Sequence, residues 1–245
     1  MLEFLRQGYQ QPQIDLLIAE SYLWEENFAS AEVFLEKLLV ENPFDIDVLL
    51  DLTFLHPSRY KEFGFDGLMD IYQRILDLCP LEEAVLLQWV DKIILGSPGY
   101  AAPPQYAQER IRKYLKINPY SYKGWLMLGQ IHAHQFQKEL ALQAFLKAET
   151  ISPQSGVVHY NLGSLYYDWK KYDLARGHLE QAIALDDYLD AYLYLGAILK
   201  EEGRYEEALE KFRYRVAHKQ GEVDYYAIQA MKGIQACLEA LGQSP

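Results

Sequence analysis

Apolar residues in this chain fall in short runs with steps of three and four, separated by polar breaks. The clearest such stretch is Tyr122 to Ser155. Trp125, Leu128, Gly129 and His132 stand at i, i+3, i+4 and i+7, which places them on one face of a helix. After a polar break, Ala141, Phe145 and Ala148 repeat the pattern on a second helix. Pro153 stops that helix, because proline has no N–H to donate and its ring clashes with the preceding turn. Neither stripe can be buried by its own helix, so the two must pack as a hairpin. Gly129 and Ala141 are small where that seam needs close approach.

The pattern returns along the chain. Leu162, Gly163, Tyr166, Ala175, Leu179 and Ala182 follow at a period of 34 residues, and Leu195, Gly196, Leu199, Ala208 and Phe212 at 33 more. Two helices per unit at this period specify a stack of hairpins in which each unit buries its neighbour. The central copy carries Trp125, Leu128, Gly129, Ala141, Phe145, Ala148 and Pro153, and in these residues the chain resembles the tetratricopeptide repeat family. The resemblance implies an all-α, right-handed superhelical solenoid of helix-turn-helix repeats. The frame predicts a short tail over residues 1–11 and one superhelix over 12–245. Its repeats cover 12–45, 46–81, 82–121, 122–155, 156–188 and 189–222, and a capping helix covers 223–241.

Repeat one fits without a gap: Ile18, Ala19 and Tyr22 form its first stripe, Phe28, Ala31, Leu35 and Leu38 its second, and Pro43 closes it. Repeats two and three are irregular. His56-Pro57 should end a short helix. The segments 56–67 and 96–105 read as loops whose Tyr60, Phe63, Phe65 and Tyr100 could fold onto the apolar surface nearby. That surface includes Leu16, Leu17, Leu23, Trp24, Leu86, Leu87 and Val90, and it should be covered by a partner, by these loops or by a second copy of the chain.

Composition narrows the functional classes. The net charge is −12, and residues 1–121 hold 10 Lys+Arg against 19 Asp+Glu. Such a surface repels phosphate backbones, which argues against nucleic acid as a partner and against an anionic membrane surface. No run of about 18 apolar residues occurs, so no transmembrane segment is expected. Cys79 and Cys237 are isolated and read as free thiols. The N-terminal MLEFLRQGYQQPQ lacks an apolar core and cleavage site, which points to a cytoplasmic protein.

Candidate chemistry is sparse. There is no glycine-rich phosphate loop and no nucleophile elbow. The six histidines are scattered; His132 and His134 are two apart and point to different faces of a helix, whereas a zinc pair within one helix is spaced i, i+4. His132 shares its repeat position with Tyr166 and Leu199, which makes it a packing residue. Paired glutamates at 25–26, 82–83, 201–202 and 206–207 are adjacent along helices and do not face each other. The expectation is therefore no catalytic residue, no cofactor and no metal.

The resemblance implies a binding surface instead. In the family the first helix of each repeat lines a concave wall. Carried onto this chain, the wall positions include Lys123, Leu126, Met127, Gln130 and His134 in repeat four. Repeat five contributes Tyr160, Asn161, Ser164, Tyr167 and Asp168, and repeat six contributes Asp190, Tyr194 and Lys200. Asn161 could hydrogen-bond a peptide backbone while Tyr160, Tyr167 and Tyr194 pack its side chains. The tyrosines could equally cover neighbouring helices. The clamp that family members use for acidic chaperone tails is broken here. Leu126 and Gln130 occupy its first Lys and Asn positions, Asp190 and Tyr194 its last basic pair, and Asp190 would repel a carboxylate. The reading is a protein or peptide partner for a scaffold or adaptor. The alternative is a structural subunit of a permanent complex or homo-oligomer.

Overall fold

The computed structural model describes residues 11–55, 57–64, 67–79, 83–94, 104–221 and 224–243. The tail over 1–10, Phe65, Tyr100 and most of the second inserted loop lie outside them. Among the described residues there are α-helices and one 3-10 helix, and no strand. The chain divides into two compact units, Met1–Pro103 and Pro104–Pro245. The division falls inside the third sequence repeat, between its two helices.

In the first unit, α1 (Gln11–Trp24) and α2 (Phe28–Glu41) form a hairpin. Ala19, Ala31 and Leu35 are fully buried in it, as their spacing requires. Asn27 caps α2 by accepting from the Ser30 N–H at 3.3 Å. Asp15 is also buried, where sequence alone suggests a solvent position. Lys37 of α2 reaches it at 2.5 Å and supplies the charge that a buried carboxylate needs. Next come α3 (Ile46–Leu52), a 3-10 helix (Pro57–Phe63), α4 (Leu68–Leu78) and α5 (Glu83–Ile94). The first inserted segment is thus partly helical. Its Tyr60 is buried, with its hydroxyl donating to the Leu55 carbonyl at 2.9 Å, so this aromatic folds inward. Leu86, Trp89 and Val90 of α5 are buried as well, whereas Trp24 remains 89% exposed.

The second unit holds the regular array: α6 (Pro104–Ile117), α7 (Tyr122–His134), α8 (Lys138–Ile151), α9 (Gly156–Asp168), α10 (Tyr172–Asp186), α11 (Ala191–Glu201), α12 (Tyr205–Ala217) and α13 (Tyr225–Ala240). Pro104 opens α6, where its missing N–H is not needed. Hairpins α7–α8, α9–α10 and α11–α12 each close on a glycine. A Cβ on Gly129 would lie 2.4 Å from the Phe145 ring, one on Gly163 2.7 Å from Leu179, and one on Gly196 2.7 Å from the Phe212 ring. The three repeat-defining glycines therefore occupy equivalent surroundings, and each buys close approach of the facing helix.

The backbone repeats as faithfully as the side chains. Glu26, Phe136 and Lys170 have positive φ, as does Gly203, and each is the residue that turns the first helix of its hairpin into the second. The following N–H always donates to the residue five back: Asn27 to Tyr22, Gln137 to His132, Lys171 to Tyr166 and Arg204 to Leu199. His132 is buried, as its packing role requires, and its Nδ1 donates to Gln137 Oε1 at 2.6 Å.

First helices also touch one another: α7 meets α9, α9 meets α11, and α11 meets α13. This layer is the wall on which the sequence places the candidate residues. The capping helix α13 packs as a further first helix. A Cβ on its Gly233 would meet the Phe212 ring at 2.6 Å, just as one on Gly196 would from the other side. Arg215 of α12 locks the corner. It is 2% exposed, with its guanidinium 2.9 Å from Asp190 and 2.7 Å from Asp224, and Asp224 also caps α13 by accepting from Ala227 N–H at 3.0 Å. Asp190 is therefore committed to Arg215 and does not stand as the free repelling charge that its repeat position suggests.

Candidate functional site

The wall residues divide into those that hold the array together and those that face solvent. Tyr160 and Asn161 belong to the first group, being 8% and 9% exposed. The Tyr160 ring stacks on Tyr188 at 4.3 Å between centroids and meets Tyr194 edge-on at 5.8 Å. Asn161 donates to the Val157 carbonyl at 2.7 Å and accepts from Gln130 at 3.3 Å. Both ends of that amide are engaged inside the chain. Ser164 is half-buried and donates to the Asn161 carbonyl at 3.1 Å. Leu126 of repeat four is buried in the hairpin core with Phe145 and Leu162.

Met127 and Gln130 are half-buried, and Lys123, His134 and Asp168 are exposed. Partial desolvation lowers the His134 imidazole from its ordinary value. Tyr167, Tyr194 and Lys200 come together farther along the wall. Tyr167 meets Tyr194 edge-on at 5.3 Å. These three line a groove of about 330 Å³ whose opposite side is α13, through Tyr225, Tyr226, Gln229 and Lys232. Leu193, Ala197 and Ala236 belong to its apolar lining.

The α13 half of this groove is what the sequence reading missed. Gly233 stands 37 residues after Gly196, outside the repeat period, so the wall frame is not carried onto α13. The signal that could have found it is local: Tyr226, Gln229, Lys232 and Gly233 fall at helical spacing.

Electrostatically the groove is an array of neutral phenols beside two lysines. Burial, and then neighbouring Tyr226 and Asp168, raise the Tyr194 hydroxyl above its ordinary value. Burial followed by Glu201 does the same for Tyr167, and burial with Asp190 pushes Tyr188 up to about 12. These hydroxyls stay protonated near neutral pH and act as hydrogen-bond donors and acceptors on apolar rings, a combination suited to peptide contact. Lys200 sits beside Glu201 at 3.4 Å, and Lys232 is exposed on the facing helix.

A second concavity of about 540 Å³ lies between α6, α7 and α8, with an apolar lining of Leu115, Trp125, Leu128 and Leu140 and a rim of Arg112, Lys116 and Lys147. The Trp125 indole N–H donates to the Pro119 carbonyl at 2.9 Å. Among the described residues no helix is long and apolar enough to cross a membrane.

Comparison with known proteins agrees with this architecture. Two family models described as tetratricopeptide repeat match, one over residues 122–155 and one over 160–221. No curated protein sequence matches. Among solved structures, the type IV pilus biogenesis factor PilW is 17% identical, with a TM-score of 0.67 over 94% of this chain and 100% of that one. A tetratricopeptide repeat protein from Parabacteroides merdae is 14% identical, with a TM-score of 0.67 over 96% of this chain and 88% of that one. A chain in the crystal structure of the APC/C hetero-tetramer Cut9–Hcn1 is 16% identical, with a TM-score of 0.70 over 96% of this chain and 44% of that one. At these identities the likeness is one of fold. Residues 122–155 and 160–221 are recognised as tetratricopeptide repeats, in agreement with the glycine seams and the repeated backbone turns, and the fold as a whole is that of a tetratricopeptide repeat solenoid, a family whose members in general serve as non-catalytic scaffolds for protein–protein interaction.

Proposed function

We propose that the chain is a non-enzymatic scaffold or adaptor that holds an extended peptide segment of a partner protein on the first-helix face of its second unit. The binding centre is the groove between α11 and α13. The observation that carries this reading is the convergence of Tyr167, Tyr194 and Tyr226 with Lys200 and Lys232 in one groove whose apolar lining includes Leu193, Ala197 and Ala236. Rings packed against one another lose little conformational freedom on binding, and the small lining residues Ala197 and Ala236 leave room for a side chain. The two lysines favour a segment that carries acidic residues. Tyr160 backs the groove by packing against Tyr194, and neither Tyr160 nor Asn161 contacts the peptide, because their own partners lie inside the chain.

The test is site-specific photocrosslinking in native lysate. A crosslinking residue at Ala197 or Ala236 should capture one discrete partner, whereas one at Gly177, exposed on α10, should not. Lys200→Glu with Lys232→Glu should weaken capture while leaving the melting temperature unchanged. Equal capture from the groove and from Gly177 would refute the groove as the binding centre.

A further inference from the structure

Glu149, His159 and His178 are far apart in sequence but meet where α8, α9 and α10 join. Glu149 lies in the last turn of α8, His159 in the first turn of α9, and His178 in the middle of α10. The two imidazole Nδ1 atoms are 3.1 Å apart, and Glu149 Oε1 lies 3.5 Å from the first and 3.7 Å from the second.

The direction of the lone pairs follows from a bond on the far side of His159. Its Nε2 is 2.9 Å from the Pro153 carbonyl oxygen. A carbonyl only accepts, so Nε2 carries the proton, and in the neutral ring the Nδ1 lone pair points into the cluster. This is the outer partner that orients a ligating histidine. The His178 ring is held in plane between His159 and Tyr166, stacked at centroid distances of 5.4 and 5.5 Å.

A shared proton between the two nitrogens would account for the 3.1 Å separation. It would leave the carboxylate unbonded to either imidazole, because 3.5 and 3.7 Å exceed hydrogen-bond contact. One ion satisfies all three groups. A tetrahedral zinc ion with bonds of ~2.0–2.1 Å holds neighbouring donors ~3.3–3.4 Å apart, close to the 3.1, 3.5 and 3.7 Å edges found here.

We infer that Glu149, His159 and His178 form a binding site for a zinc-type divalent transition-metal ion, with its fourth position open to solvent. Two imidazoles and one carboxylate are a donor set that suits zinc and disfavours calcium or magnesium, which take oxygen ligands. The side chains of Glu149 and His178 are 28% and 19% exposed, which leaves a path for the ion and for a water ligand. The ion would tie the second helix of one repeat to both helices of the next, so binding would favour the docked arrangement over the separated one. No ion is needed for the groove on the first-helix face, and this site stands independently of the peptide reading.

The test uses the full chain, free of any affinity tag, stripped with a chelator and titrated with Co²⁺ and then Zn²⁺. One equivalent of Co²⁺ should give visible d–d absorption of a low-coordinate site, and Zn²⁺ should displace it. Zn²⁺ at about a hundredfold excess over its Kd should raise the melting temperature by about 5–10 °C. Glu149→Gln and His178→Ala should each lower affinity at least tenfold, consistent with the ~10–100-fold typical of lost metal-site partners, and His134→Ala should leave it unchanged. Glu149→Gln nearly preserves side-chain shape, so it decides the matter if His178→Ala melts early without metal. Absence of the cobalt spectrum in the wild type, undiminished binding in Glu149→Gln, or loss of binding in His134→Ala would overturn the assignment.

Discussion

Gly163 and Gly177 lie on the two helices of one hairpin, and replacing either with alanine should move stability in opposite directions. A Cβ on Gly163 would sit 2.7 and 2.8 Å from Leu179 Cγ and Cδ2 and 3.2 Å from the Ala175 carbonyl oxygen. Favourable carbon contacts begin near ~3.5 Å, so the overlap with Leu179 is about 0.7 to 0.8 Å. Leu179 is fully buried, and the Ala175 oxygen belongs to a helix backbone, so relief requires α9 and α10 to part. Overpacking of this kind costs ~1–3 kcal/mol, and alanine in place of helical glycine offsets ~0.5–1 kcal/mol of it. Gly163→Ala should therefore lose up to about 2.5 kcal/mol. Gly177 has no atom within 4 Å of its added Cβ, so Gly177→Ala should gain the ~0.5–1 kcal/mol alone. The variants should bracket the wild type. At ~2–4 °C per kcal/mol their melting temperatures should differ by about 2–12 °C. Melts of all three proteins, followed by circular dichroism in the presence of chelator, make the comparison. Gly163→Ala melting at or above Gly177→Ala would refute the seam as described.

Two further expectations concern buried charge. Burial, with smaller contributions from Glu20 and Asp47, raises the Asp51 carboxyl from 3.8 to about 7, and its Oδ2 has no hydrogen-bond partner among the described residues. The folded chain then holds a proton that the unfolded chain releases, so stability falls as pH rises from about 4 to about 7 and stays lower above that. Discounted for the solvent contact of a half-buried group, the loss is ~1–2 kcal/mol. Asp51→Asn should recover it at pH 8 and change little at pH 4, as read from denaturant midpoints; equal shifts at both would refute the burial. Arg215→Ala should cost ~3–5 kcal/mol, because it strands Asp190 and Asp224 without their cation. Hydrogen exchange should quicken in α12 and α13 and not in α7 and α8. A loss under about 1 kcal/mol would mean that this buried pairing does not hold the corner.

The hairpin array of the second unit was legible in the sequence because its determinants are local and repeated. Gly129, Gly163 and Gly196 recur at fixed offsets from Ala141, Ala175 and Ala208, and every hairpin solves the same packing problem with the same small residues. The first unit was less legible, since its short α3 and its 3-10 helix interrupt the period that carries the signal.

The candidate wall was legible only as a face. Helical spacing puts Tyr160, Asn161, Tyr167 and Tyr194 on that face but does not say which are spent on neighbours. The tertiary structure turns Tyr160 and Asn161 inward and leaves Tyr167 and Tyr194 at the groove. It also brings in α13 across a break in the period, pairs Arg215 with two aspartates that sequence spacing does not connect, and gathers Glu149, His159 and His178 from three helices. Periodicity reports which residues share one helix, and so determines the hairpins. Contacts among different helices depend on how the hairpins rotate against one another, and that choice is made only when the whole core closes.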